Sequence, residues 1–329
     1  MSYKIYKINP QTFERIIEIP NIFSLNWQDD ITLVFTSFDI TTSYSDLNCG
    51  DWIEVFSPDY NDTVFFGVVM NSYQENTNNF TYSGYDAGIY LEKNETTCQF
   101  RDAKIAQAIN TIATKAQFLT GDIPDIDFTV NKIYFKTKLS DILFDLYNIA
   151  VDKGFDNSYY FNCKNGKINL LRYIGNNELR GYVANLYSVK SFDNIKKFKR
   201  ELSIKDLKNS IELYTSNTPN KDNSKRLYYN SDKDSIKKYG LLNVVEEIDA
   251  DTNLDFEKIL TEKLNKLNKV SESLKFEVLG DYKLQTGVVT FITNNDININ
   301  GTYKITSSKH CIVGTVESIT VTVEKSDID

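Results

Sequence analysis

Apolar and polar residues alternate with a period of two through most of the first 85 positions. Phe23, Leu25 and Trp27 share a parity in IFSLNW, and Ile31, Leu33 and Phe35 alternate with other residues in ITLVFTSF. The stretches DWIEVFSP, TVFFGVVM and NFTYSG follow between turn-forming residues. A period of two places alternate side chains on one face of a strand, so this segment is predicted to form a small antiparallel sheet or barrel. The period changes in FRDAKIAQAINTIATKAQF, where Ile105, Ile109, Ile112 and Ala116 recur at helical spacing beside Ala103, Ala106, Ala108 and Ala113. A second helix is predicted from Leu139, Ile142, Leu143, Leu146 and Ile149, with Ser140 near its start and Gly154 as its C-terminal stop. Asn165-Gly166 then joins two strand-like runs as a type I′ hairpin turn.

Beyond ELSIKDLKNSIELYTS the chain loosens into the polar run NTPNKDNSKR, expected to be an exposed loop. Leu227, Tyr228 and Tyr229 follow it and offer an apolar anchor for a partner. Thr252 and Asp255 have capping-box spacing, and Phe256, Leu260, Leu264, Leu267 and Val270 predict a helix near 253–272. The last segment returns to period two, with Ile319, Val321 and Val323 alternating with Ser318, Thr320 and Thr322. The expected fold class is a β-rich α+β protein. Its expected segments are a β-barrel at 1–96, an α/β insertion at 97–195 and a second barrel at 196–329. No tandem sequence repeat is legible.

The single histidine, His310, stands directly beside Cys311. If the terminal strand character reaches back that far, the two side chains point to opposite faces and cannot form a nucleophile pair. One histidine also excludes a His-based metal site. His310 is therefore expected to be structural or solvent-facing, and its removal to cost about 1–2 kcal/mol unless a buried hydrogen bond is lost.

Composition narrows the possibilities. The chain has 329 residues, a formal net charge of -8, 21 Tyr and 20 Phe, which favours aromatic-rich strands and disfavours a stable nucleic-acid partner. No run resembles a signal peptide or a membrane span, so the protein is expected to be made and kept in the cytosol until it is assembled or released, with no membrane insertion. Cys49, Cys98, Cys163 and Cys311 are widely spaced, which predicts reduced, mostly buried thiols rather than zinc or redox chemistry. Acidic neighbours Asp29-Asp30 and Glu246-Glu247 are expected to be solvated, since paired catalytic carboxylates need a separation that sequence neighbours do not supply. The run VKSFDNIKKFKRELSIKDLK interleaves Lys190, Lys196, Lys197, Lys199 and Arg200 with Phe192 and Phe198; it is expected to be a solvated strand pair or protein interface rather than a single-strand nucleic-acid track. No G-x-S-x-G, Walker A or G-x-G-x-x-G motif is present, and no catalytic, cofactor-binding or metal-binding residue is assigned.

The order of several stretches resembles the hub proteins of contractile phage tails, especially the PBSX-type prophage hub and late-control D families and the R-type bacteriocin hubs. YSGYDAGIYLEKNET followed by FRDAKIAQAINTIATKA resembles that family's strand, Asp-containing turn and alanine-rich helix. LKNSIELY resembles its strand entering a second barrel, YGLLNVVEEIDA its Tyr-Gly segment before a helix, and GTYKITSSKHCIVGTVESITVTVE its closing hairpin. The resemblance implies two tail-tube-like barrels per chain, a homotrimer, and an adaptor between a hexameric tail tube and a trimeric central spike, with tape-measure and baseplate wedge proteins as further partners. It implies no enzyme activity and no cofactor. The alternatives are a polysaccharide-binding β-protein of the same particle and a tail-associated cell-wall hydrolase.

Overall fold

The computed structural model describes residues 3–164, 166–173, 195–216, 227–249, 255–279, 284–294 and 299–326. Contacts divide the chain into two units, Met1–Lys199 with Leu274–Asp329, and Arg200–Ser273.

The first unit opens with β1 (Lys4–Ile8), β2 (Arg15–Glu18), β3 (Ile22–Asp30), β4 (Ser37–Thr42), β5 (Trp52–Ser57), β6 (Asp62–Asn76) and β7 (Asn79–Asp86). Period two holds where strands form: Leu25, Trp27, Phe38, Ile40, Ile53, Val55 and Tyr82 are buried in one core. It fails over Ile31–Phe35, which is a turn. There Asp30 Oδ1 accepts from the Thr32 amide and hydroxyl at 2.9 and 2.7 Å, and a local side-chain acceptor outcompetes strand pairing. Phe23 shares the parity of Leu25 but is exposed, because the register shifts between Ile22 and Ser24.

Next come α1 (Ile89–Lys93), β8 (Glu95–Lys104), α2 (Ile105–Lys115), β9 (Leu119–Thr120), β10 (Thr129–Lys138), α3 (Leu139–Asp152), β11 (Tyr159–Lys164) and β12 (Lys167–Arg172). The two predicted apolar stripes face one core, with Ile105, Ile109 and Ile112 of α2 beside Ile142, Leu143 and Leu146 of α3. Gly154 stops α3 in the left-handed region at φ +102°. Ser140 does not cap it; its hydroxyl donates to Glu92 at 2.7 Å. Lys164 pairs with Lys167 across the predicted hairpin, and Gly166 has φ +69°; Asn165 lies outside the described residues.

β13 (Ile195–Ser203) leads into the second unit, which holds β14 (Ser210–Ser216), β15 (Leu227–Ser231), α4 (Lys233–Tyr239), β16 (Asn243–Asp249) and α5 (Phe256–Leu267). Its sheet has the order β15-β14-β16, and Leu260 and Leu264 of α5 pack on Ile211 and Leu213. Helix α5 is shorter than predicted. Asp255 itself is the cap, accepting from the Lys258 amide at 3.1 Å, while Thr252 lies outside the described residues and Val270 falls past the helix end. The polar loop at 217–226 also lies outside them.

The chain returns through β17 (Ser271–Leu279) to β18 (Val289–Asn294), β19 (Ile299–Val313) and β20 (Val316–Lys325). Ile319, Val321 and Val323 are buried in a further core with Leu274, Phe276 and Ile305, as their alternation predicted. The strands of both chain ends join one 12-stranded sheet of order β13-β17-β20-β19-β3-β4-β7-β6-β5-β1-β2, with β18 also on β19. Only Ile19–Asn21 separates β2 at one end of that order from β3 in its middle. Such a link spans on the order of 14 Å, so the sheet must curl back on itself. The curl brings the Tyr3 ring to 5.5 Å from Trp27 of β3. One strand order occurs twice: β3-β4-β7-β6-β5 and β13-β17-β20-β19-β18 each pair first with second, second with fifth, fifth with fourth and fourth with third strand.

Candidate functional site

The densest buried polar cluster lies where β3 meets β19. Ser307 to Val313 pair antiparallel with Asp30 to Ser24, so strand character does reach His310. On the buried face, the His310 imidazole stacks on Trp27 with centroids 4.4 Å apart and planes 9° from parallel. Its Nδ1 lies 3.2 Å from Glu317 Oε1, and the Tyr3 hydroxyl donates to both Glu317 oxygens at 3.1 Å. His310 Nε2 has no hydrogen-bond partner. A bare lone pair is easier to bury than an orphaned N–H, which favours the tautomer that donates from Nδ1 to Glu317. His310 is thus structural but not solvent-facing, because its parity puts it under the curled sheet. Cys311 points to the other face and is half-buried.

Asp29, two residues beyond Trp27, shares this face. Its carboxylate accepts from the Ser308 hydroxyl and, at 3.3 Å, from the Thr286 amide. Although the residue is half-buried as a whole, the carboxyl is enclosed. Burial pushes its pKa up, while the hydrogen bonds from Ser308 and Thr286 pull it down. Asp29 is therefore not solvated as expected, whereas Asp30 is occupied by its turn. Asp86 ends β7 in the Asp-containing turn; its two oxygens accept from the Thr36 and Gly88 amides at 3.0 and 2.8 Å. Burial pushes this carboxyl up to about 8 against those two amides. Burial also raises the Cys163 thiol, with the charge of Asp86 adding to the effect.

This constellation has the residue types of acid–base chemistry without a reacting position. Ser308 is committed to Asp29 rather than His310, Glu317 is closed by Tyr3, and Ser308, His310 and Glu317 are all buried. Its evident role is to fix the β3–β19 pairing, since buried polar groups tolerate only the arrangement that satisfies them. Sequence reasoning singled out His310, Asp29 and the Asp-containing turn of Asp86 but missed Glu317 and Tyr3. Parity along β20 could have placed Glu317 on the face of Ile319 and Val321.

Other candidates disperse. Lys197 pairs with Glu277 and Arg200 with Glu272, while Phe198 meets Phe276 at 5.2 Å, so the basic run is a strand laid antiparallel on β17. Lys190 and Phe192 lie outside the described residues. Glu246 is paired with Lys263 at 2.5 Å. The thiols are less buried than expected: Cys49 is exposed, and the other three are half-buried. Cys49 sits in the turn before Gly50, whose φ of +95° ends the approach to β5. Among the described residues no cluster of three or more His, Cys, Asp or Glu could hold a metal, and no helix is long and apolar enough to cross a membrane.

This fold is shared with solved prophage tail proteins. The structure matches the 43 kDa tail protein of prophage MuSo2 from Shewanella oneidensis with a TM-score of 0.70 at 10% identity, over 99% of this chain and 98% of that one. It matches a tail protein from Neisseria meningitidis with a TM-score of 0.70 at 11% identity, over 100% and 98% of the two chains. An Escherichia coli component of the type VI secretion system matches at 0.55 and 10% identity, over 99% and 78%. In sequence the chain is 26% identical to the phage-like element PBSX protein XkdQ of Bacillus subtilis over 267 residues, 79% of this chain and 77% of that protein. It is 25% identical to the uncharacterized protein YqbQ of the same organism, over 80% and 79%. Residues 25–324 match the YQBQ-like family, and the chain belongs to it. The resemblance to phage tail and baseplate proteins is therefore established.

Proposed function

We propose that this protein is the structural hub of a contractile tail baseplate, a homotrimer that adapts a hexameric tail tube to a trimeric central spike. The observation that carries the reading is the strand order found twice in one chain. Each copy encloses its own apolar core, the first around Phe38 and Ile53 and the second around Phe276 and Ile319. Two such barrels per chain give six in a trimer, so one protein offers near-six-fold symmetry on one side and three-fold symmetry on the other. The first barrel falls within residues 1–96 and the second within 196–329, with the α/β segment of 97–195 between them. Tube, spike, tape-measure and wedge proteins are its partners, it acts without cofactor or catalysis, and its place is in the assembled particle of a phage tail or bacteriocin.

Light scattering on the purified chain, followed by mixing with tube and spike proteins, tests this. A three-chain mass and a complex containing both partners are expected. A monomer at every concentration that binds neither partner overturns the hub reading.

A further inference from the structure

The repeated strand order makes the β3–β19 seam half of a pattern. Strand β19 has β20 on one edge, and its other edge is divided between β18, over Ile299–Lys304, and β3, over Ser307–Val313. Its counterpart β6 is equally long, at 15 residues, and has β7 on one edge. On the other edge β5 covers only Asp62–Val68. Residues 71–76 have no strand on that edge among the described residues, and all six are exposed.

The two hairpins set the correspondence. Val313 pairs with Val316 and Asn76 with Asn79, each closing a two-residue turn. Counting back from these turns, 70–76 stands where the β3-covered stretch of β19 stands. The register shift between Gln74 and Asn76 then puts Ser72, opposite the buried Tyr82, in the place where His310 stands opposite the buried Ile319. His310 is buried against Trp27, whereas Ser72 is exposed and its neighbour Tyr73 is 63% exposed. The counterpart of β3 is β13, also nine residues long and the terminal strand of the sheet.

We propose that β13 of one copy pairs antiparallel with the exposed half of β6 on the next copy, repeating between chains the seam that β3 and β19 make within one. Ser72 takes the covered position, and Tyr73 beside it lies on the same uncovered half, where a charge opposes strand addition. An open edge is a template for strand addition, and a contact between two different edges propagates from chain to chain until it closes a ring. The other terminal strand, β2, also exposes Ile16 and Ile17, but it has no counterpart in the second copy of the strand order and so no place in this seam. The inference rests on the trimer proposed above and identifies its contact.

Hydrogen exchange on the full chain, measured as monomer and as trimer, tests it together with Tyr73→Glu and a control, Ile16→Glu. Amides of residues 71–76 and of β13 are expected to slow about tenfold or more on association. Tyr73→Glu, with an unchanged circular dichroism spectrum, is expected to weaken the trimer about tenfold or more, and Ile16→Glu to leave it intact. If Tyr73→Glu changes that spectrum, the exchange of residues 71–76 in the unmodified trimer decides alone. A trimer in which 71–76 exchange as fast as in the monomer overturns the seam while sparing the trimer. A chain that never associates overturns both.

Discussion

His310 shows how far one residue's consequences depend on which face it occupies. Substitution to Ala removes the ring stacked on Trp27 and deletes one partner of a buried carboxylate, so His310→Ala is expected to cost about 2–4 kcal/mol, more than its sequence alone suggested. Cys311→Ser, on the opposite face and half-buried, is expected to cost about 1 kcal/mol or less. Urea unfolding of the two variants checks the contrast, and equal losses would contradict it. Asp86 makes a pH-dependent prediction. Its folded pKa, raised by burial to about 8, lies above the unfolded value of about 3.9, so the folded state holds the extra proton between these limits. Its contribution to stability is full below about pH 4 and is lost as pH rises toward 8; the raised pKa of Asp29 acts in the same direction. Asp86→Asn should therefore flatten the fall in unfolding midpoint between pH 5 and pH 8, and an unchanged slope would show that the two amides dominate over burial.

At the level of elements, the helices were legible because their stripes are long: α2 and α3 needed only the spacing of Ile105, Ile109 and Ile112 and of Leu139, Ile142, Leu143 and Leu146. Shorter signals were ambiguous. The alternation of Ile31, Leu33 and Phe35 was overridden by the acceptor Asp30, and the boundary of α5 moved because Asp255 reaches the Lys258 amide itself. Asp255→Ala is expected to destabilise the second unit by about 1 kcal/mol, read as faster amide exchange in α5. The anchor expected at Leu227–Tyr229 also divides. Tyr228 stacks on Phe256 at 4.4 Å and belongs to its own unit's core, leaving Tyr229 as the exposed ring. Tyr228→Ala should cost about 3 kcal/mol, whereas Tyr229→Ala should cost less than about 1 kcal/mol; equal losses in urea unfolding would contradict this division.

Across the whole molecule, residue patterning could not disclose the repeated strand order, which only the family resemblance implied, because pairing geometry can recur with none of the same side chains. Ser72 in the position of His310, and Tyr82 in that of Ile319, illustrate how freely the contents vary. Ser203 and Ser271 nevertheless lie side by side, with the Ser271 hydroxyl donating to the Ser203 carbonyl at 3.1 Å. Replacing residues 205–269 with a short turn is therefore expected to leave the first unit folded, with its exchange-protected amides intact; loss of protection in β3 and β19 would refute this. The seam between those two strands also has a consequence in time. Ser308 and Asp29 are 279 positions apart, so at about 5–20 residues per second a ribosome finishes β3 well before the strand that covers it exists. During those tens of seconds the early curl carries a bare edge beside Trp27, and nascent chains on neighbouring ribosomes can capture one another there. Slower elongation lengthens that exposure. Yield of the native protein should accordingly fall when translation is slowed between the codons for residues 86 and 307, and recover when a chaperone that shields strand edges is supplied.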